Sequence, residues 1–477
     1  MRPLVFGTAK LGQRRHHLGL GLKIPAILKK GPVGRLLTNP LMKRVIRNSG
    51  YLFTGSTLSA ALSMIQGILA ARLLGVESFG VLGIITVFVS VINRLTSFRM
   101  AELVVTYVGD FSEKGEKDRA AAAFKTAAAF ESGSSVLAFF LVIVLAPLAA
   151  TYLAHDASLA VLFVLYGLII PAHMIAESST GLLQYLDQFR LLAGIQIGQS
   201  VITLVLIIGA FAAGGGLVAV LGAYFVGKVA WSLAITGAAI IHARRAWGSG
   251  WWRASFSLIH IRRKEMLRFG VSTNLTGTLT LLSRDSEILW LGALASTTAA
   301  GYYKVALAIL NILLIPVQPL ISTTYRELAR EIGARAWENV RYLLRSGSMI
   351  SAAYSIPAAV FLIALGPWVV SLWGVEFLPE SYITLMILLV GVTFVNIFYW
   401  NRTTLLPLGL PEYPTKVTLV AAVAKVIAIL ILVPRYGAPG MAATLSGFFL
   451  FTGIVLVWKT VRVLRDRLEA SPVPAAG

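Results

Sequence analysis

The sequence contains no cysteine among its 477 residues, which excludes disulfides, thiolate metal sites and thiol catalysis. Acid is scarce as well, with 21 Asp and Glu against 42 Lys and Arg. Charge of both signs makes up only 13% of the chain, about half the share usual in a soluble domain. Strict apolar/polar alternation over strand-length segments is also missing, which argues against a membrane barrel. No apolar core with a small-residue cleavage site occurs in the first 49 residues, so they do not read as a signal peptide.

What is present is hydrophobic: 57% of the residues, with a mean hydropathy of +0.78. The apolar residues come in blocks of about twenty, the length of a membrane-spanning helix. A helix satisfies its backbone N–H and C=O groups internally, as lipid requires. The expected fold is therefore an all-α polytopic membrane protein of twelve transmembrane helices. They fall near residues 50–71, 81–104, 132–153, 159–181, 191–213 and 217–241, then 270–294, 300–323, 346–372, 382–400, 415–434 and 440–458.

A net charge of +21 suggests nucleic acid in a soluble protein, but here the cations flank apolar blocks. Only Arg72 and Arg435 fall in connections on one side, while the connections of the other side are rich in Lys and Arg. This asymmetry places both termini in the cytoplasm of a multi-pass cell-membrane protein. The domain boundaries that follow are a basic tail 1–49, a first lobe 50–242, a basic loop 243–269 carrying Trp251 and Trp252, a second lobe 270–458 and a tail 459–477. The basic tail suits docking on anionic lipid or anchoring topology. Outer connections are short, which disfavours a glycan polymerase or ligase that needs a large loop to hold its acceptor.

The chain also repeats itself. At an offset of 224, Gly167 falls on Gly391, Leu186 on Leu410 and Gly216 on Gly440; at 221, Phe79-Gly80 meets Ala300-Gly301; at 220, Leu145-Ala146-Pro147 meets Leu365-Gly366-Pro367. With six spans per half the two repeats are parallel, and such transporters place a site between halves that rock about it. The segment Gly222-Ala223-Tyr224-Phe225-Val226-Gly227-Lys228-Val229 nearly spells a phosphate-binding loop. It ends in Val where Ser or Thr is needed and lies inside an apolar span, so no ATPase is expected.

Three motifs then carry a family resemblance: Arg72-Leu73-Leu74-Gly75-Val76-Glu77-Ser78-Phe79-Gly80, Gly301-Tyr302-Tyr303-Lys304-Val305-Ala306, and Pro434-Arg435-Tyr436-Gly437-Ala438-Pro439-Gly440. Between about residues 49 and 467 the chain resembles the polysaccharide-transporter family, the O-antigen-type lipid-linked oligosaccharide flippases of the multidrug/oligosaccharidyl-lipid/polysaccharide (MOP) exporter superfamily. The resemblance implies a MATE/MOP-like, V-shaped, two-lobe transporter and not an enzyme. It further implies outward movement of a polyprenyl-pyrophosphate-linked glycan, with membrane lipids and glycan-assembly proteins as further partners and no nucleic acid. A cation-coupled drug antiporter and a non-transporting scaffold of a glycan-assembly complex remain as alternatives. The basic N-terminal extension is longer than that family usually shows, and twelve spans argue against the related fourteen-span lipid II flippases.

Charges inside the membrane are costly and mark functional positions. Arg94, Lys228, Arg284 and Lys425 near mid-depth, with Arg99 and Arg402 nearer the inner face, form the expected substrate-binding set for a diphosphate. Asp285 and Glu287 partly balance them, and Glu177 completes the ion-coupling or gating set. Thr273, Thr276, Thr280, Ser283, Arg284 and Glu287 fall within an arc of about 100° on a helix, the stripe of a water-filled cavity. Arg284 and Glu287 are spaced to pair, and Asp285 is left for a neighbouring helix or for a proton or sodium ion. In the repeat Glu177 lies opposite Asn401 and Ser178 opposite Arg402, which suggests a Glu177–Arg402 gate. His173 reads as a hydrogen-bonded core residue. Pro147, Pro171, Pro316, Pro319, Pro357 and Pro367 mark bends. No cofactor is expected beyond proton or sodium coupling.

Overall fold

A computed structural model of the chain describes residues 40–262, 281 and 285–469. The chain divides into the units Met1–Gly50 and Tyr51–Gly477, and the helical bundle lies in the second. The stripe expected on Thr273, Thr276, Thr280, Ser283 and Arg284 lies outside the described residues. So do residues 1–39 of the basic tail, residues 263–269 of the loop between the halves and the last eight residues.

Among the described residues nine helical segments are long and apolar enough to cross a membrane. The first helix, α1 (Pro40–Thr96), continues past a break into α2 (Met100–Glu113). Then come α3 (Lys117–Leu153), α4 (Ala160–Gly167), α5 (Ile169–Ala172) and α6 (Ala176–Tyr185). The first half ends with α7 (Phe189–Ala212) and α8 (Leu217–Trp247). The second half is described from α9 (Glu287–Leu294) through α10 (Thr297–Leu314), α11 (Gln318–Gly333), α12 (Trp337–Ser371) and α13 (Glu380–Ile397) to α14 (Glu412–Glu469).

Two of these helices hold two spans each. The 58 residues of α14 would extend about 87 Å as one rod, against about 30 Å of hydrocarbon. Both α1 and α14 leave helical geometry at one glycine, Gly75 (φ 68°) and Gly437 (φ 55°). A side chain at positive φ is strained, so glycine is the residue that fits there. Counting both spans in each, and span seven of which only Leu281 and residues 285–294 are described, the bundle is consistent with twelve spans in two parallel halves.

Several helices outrun their expected spans, because their charged ends continue as helix beyond the apolar block. The third span is the far part of α3, and the ninth begins nine residues into α12. Span four is not one helix: it breaks after Gly167 and again between Ala172 and Ala176. Pro171 lies beside the second break, and Pro316 and Pro319 lie where α10 passes through a 3-10 turn into α11. Pro147, Pro357 and Pro367 sit inside continuous helices.

Burial gives the bundle its shape. At the ends away from the basic loops the halves share one apolar core, with Phe79, Ile84 and Val142 packed alongside Tyr303, Trp373 and Leu388. Toward the basic side the core divides in two. One part, around Leu103, Phe124, Leu182 and Ala239, belongs to the first half. The other, around Leu328, Val340, Trp400 and Leu464, belongs to the second. The result is a V closed on the side opposite the basic loops. Direct bonds reinforce the closed end: Arg72 Nε donates to the Leu372 carbonyl at 2.7 Å, and His155 Nε2 lies 2.8 Å from the Gly292 carbonyl. Gly80 packs against the Thr297 backbone and Gly301 against the Val76 carbonyl. The paired Phe79-Gly80 and Ala300-Gly301 segments of the repeat thus lie against each other across the seam.

Candidate functional site

The expected intramembrane charges are brought together in two pairs. Arg94, near the end of α1, reaches across the halves to Asp285 at 2.6 Å, with its side chain 60% exposed. Asp285 therefore serves a neighbouring helix. Lys425 on α14 pairs with Glu287 at the start of α9, also at 2.6 Å, and only 2% and 3% of these side chains are exposed. Glu287 bonds to Lys425, while Arg284, its expected partner, lies outside the described residues. One expectation changes: Lys425 is held inside the second half by that pair rather than facing a cavity. The Phe448 ring lies 5.8 Å from Lys425 Nζ and helps enclose it.

The gate expected between Glu177 and Arg402 is replaced by helix capping. Glu177 accepts from Ser97 Oγ at 3.2 Å and from the Met100 backbone N–H at 3.1 Å, at the start of α2. Helix N-termini present unsatisfied N–H groups and partial positive charge, which a carboxylate answers. Arg99, in the left-handed conformation at that same break, pairs with Glu102. Arg402 is exposed in the turns that follow α13.

The break in span four has its own carboxylate, which sequence reasoning missed. Buried Glu131 on α3 accepts from the N–H groups of Glu177 (2.7 Å) and Ser178 (2.8 Å) and from Ser178 Oγ (2.6 Å). Its repeat position at an offset of 220 is Ser351 on α12, whose Oγ donates to the Asn396 carbonyl at 2.6 Å, near the end of α13. Both halves therefore tie the third helix of the repeat to the fourth, which is broken in the first half and continuous in the second.

Lys228 stands apart from these pairs. It lines a cavity of ≈ 550 Å³ in the first half, together with Ser63, Gln66, His173, Thr180, Gln184, Gln196, Gln199, Tyr224 and Trp231. The residues fall at helical spacings: Ser63 and Gln66 on α1, Thr180 and Gln184 on α6, Leu192, Gln196 and Gln199 on α7, and Tyr224, Lys228, Trp231 and Ile235 on α8. No carboxylate is among them. His173 is bonded through Nδ1 to the Ile169 carbonyl at 2.6 Å, as expected of a core histidine, and its ring lies 5.4 Å from that of Trp231. Four glutamines facing one space inside a lipid-embedded bundle were the available signal, and formal charge was the wrong filter for finding them. Lys304 was also missed, although its motif was singled out. Its Nζ lies 3.4 Å from the Phe79 carbonyl and 4.0 Å from the Phe79 ring, at the closed end of the V.

Comparison with known proteins agrees with this architecture. Residues 68–379 match a family described as polysaccharide biosynthesis protein. No curated protein matches the chain. Among solved structures, the inward-facing form of a multidrug-resistance MATE transporter of the MOP superfamily matches with a TM-score of 0.69 at 14% identity, over 87% of this chain and 96% of that one. The lipid II flippase MurJ in an inward closed conformation matches at 0.67 and 14%, over 88% and 91%. A MOP-superfamily transporter from Pyrococcus furiosus, whose binding pocket of reverse polarity suggests a different function, matches at 0.63 and 15%, over 92% and 98%. At such identities the likeness is one of fold. The chain belongs to the polysaccharide biosynthesis protein family and is built on the MOP-superfamily fold.

Proposed function

We propose that this protein is a flippase that carries a polyprenyl-diphosphate-linked oligosaccharide from the cytoplasmic to the outer leaflet by alternating access. The observation that carries the reading is the cavity of the first half: large, lined by Lys228 and several glutamines, and by no carboxylate among the described residues. A diphosphate leaving water needs a cation waiting for it, whereas a cationic drug needs an acid. The Pyrococcus furiosus neighbour, where reverse polarity of the pocket suggests a different function, illustrates the same reasoning. Membership of a polysaccharide biosynthesis family supports the choice of a glycan. The bias of Lys and Arg to the loops on the open side of the V supports a cytoplasmic opening, where such a lipid would be loaded. Arg94, Arg99, Arg284 and Arg402 are the proposed further members of the anion path, and Glu177, Asp285 and Glu287 the carboxylates proposed to hold the moving helices.

Depletion of the protein in its own host is the test. The expected result is lipid-linked oligosaccharide accumulating on the inner leaflet and less exported polymer. Normal polymer with altered sensitivity to cationic dyes would overturn the reading in favour of a drug antiporter.

A further inference from the structure

The cavity around Lys228 contains more than a cation. Gln184 and Gln196 line it with side chains that have no hydrogen-bond partner among the described residues, while Gln66 donates to the Ser200 carbonyl and Gln199 to Thr203 Oγ. A free glutamine amide presents two donors and an acceptor with two lone pairs. Leaving such groups unmatched in a dry interior is costly, so they face water or a ligand that replaces it. The remaining lining adds the hydroxyls of Ser63, Thr180 and Tyr224 and the ring of Trp231, braced by His173. Its ≈ 550 Å³ lies within the range of small-molecule pockets.

We infer that this cavity between α1, α6, α7 and α8 is a carbohydrate subsite, which takes the uncharged sugars of the transported lipid while Lys228 takes the adjoining phosphate oxygen. A sugar hydroxyl both donates and accepts, and each amide answers both demands at once. The C–H face of a pyranose is apolar and fits an aromatic ring such as Trp231. An organic cation gains nothing here, because the charge in the lining is positive. A purely hydrocarbon ligand would leave the amides unmatched. The inference rests on the flippase reading and refines it: the sugar, not the phosphate alone, is read in the first half.

The test uses the full chain in nanodiscs and equilibrium binding of two kinds of probe: bare polyprenyl diphosphate, and the same lipid bearing a single glucose or N-acetylglucosamine. The unaltered protein should bind at least one sugar-bearing lipid about tenfold more tightly than the bare one, the gain expected of two neutral hydrogen bonds. Gln184→Leu with Gln196→Leu should abolish that preference and leave the bare lipid bound as before, whereas Lys228→Gln should weaken both probes. The single variants Gln184→Met and Gln196→Met should each give a partial loss, and they carry the test if the double variant does not insert. A preference that survives the amide substitutions, or equal binding of sugar-bearing and bare lipids by the unaltered protein, would overturn the subsite while the flippase reading stands. Failure of the unaltered protein to bind either kind of lipid would overturn both.

Discussion

Lys425 and Glu287 meet at 2.6 Å almost wholly out of solvent, while Arg94 and Asp285 meet at the same distance with 60% and 31% of their side chains exposed. Removing one member of a buried pair strands the other charge and costs about 3–5 kcal/mol. Lys425→Met or Glu287→Gln alone should therefore lower membrane abundance and the melting temperature in detergent, and the double replacement Lys425→Met with Glu287→Leu should restore most of both. An exposed pair contributes about 0–1 kcal/mol, so Arg94→Gln should leave abundance unchanged. Polymer export should nevertheless fall, because this pair joins the two halves, and the exchange Arg94→Asp with Asp285→Arg should recover it. Undiminished export by Arg94→Gln would make the pair incidental. All four charges were visible in the sequence, since charge is rare within apolar blocks. Their partners were not, because pairing across 138 and 191 residues depends on which helices cross.

At the scale of the helices, the interruptions in the fold are held by carboxylates from elsewhere. Glu131 answers three donors at the start of α6, and Glu177 answers two around the start of α2. Hydrogen bonds to a charged group contribute roughly 1.5–3 kcal/mol each, and stranded donors cost more than exchanged ones. Glu131→Leu should accordingly lower the melting temperature further than Glu177→Gln, which keeps an acceptor oxygen. Equal shifts would contradict the capping role of Glu131. The apolar blocks announced most of the spans, and the repeat announced that spans four and ten correspond. The interruption itself was marked only by Pro171, and its anchor, Glu131, sat beside the expected edge of span three, where an acid reads as an interfacial residue. Helices longer than the membrane explain that misplacement: α3 begins fifteen residues before the apolar block.

For the whole molecule, the seam between the halves is a place of close backbone approach. A Cβ on Gly80 would meet the Thr297 backbone, and backbone cannot move aside as a side chain can. Gly80→Ala should therefore push the sealed ends apart without disturbing either lobe. The chain has no native cysteine, so a reporter is available: Ala300→Cys, fully buried at this end, should react slowly with an impermeant thiol reagent applied from outside, and faster once Gly80→Ala is added. An unchanged rate would mean that the contact does not keep that side shut. The two halves and their parallel order were legible from the offsets between glycines and prolines; which ends touch was not, because both states of a rocking transporter satisfy one sequence. The position of the shared core has a mechanical consequence. On the proposed alternating-access cycle, with the pivot at one surface of the membrane, the protein would work as a long lever: a swing of roughly 10° across about 30 Å of hydrocarbon would move the far ends by about 5 Å. Small losses of contact near the fulcrum would thereby be amplified into an aperture on the scale of a sugar ring, so the close packing at Gly80 and Gly301 would govern the opening at the far side.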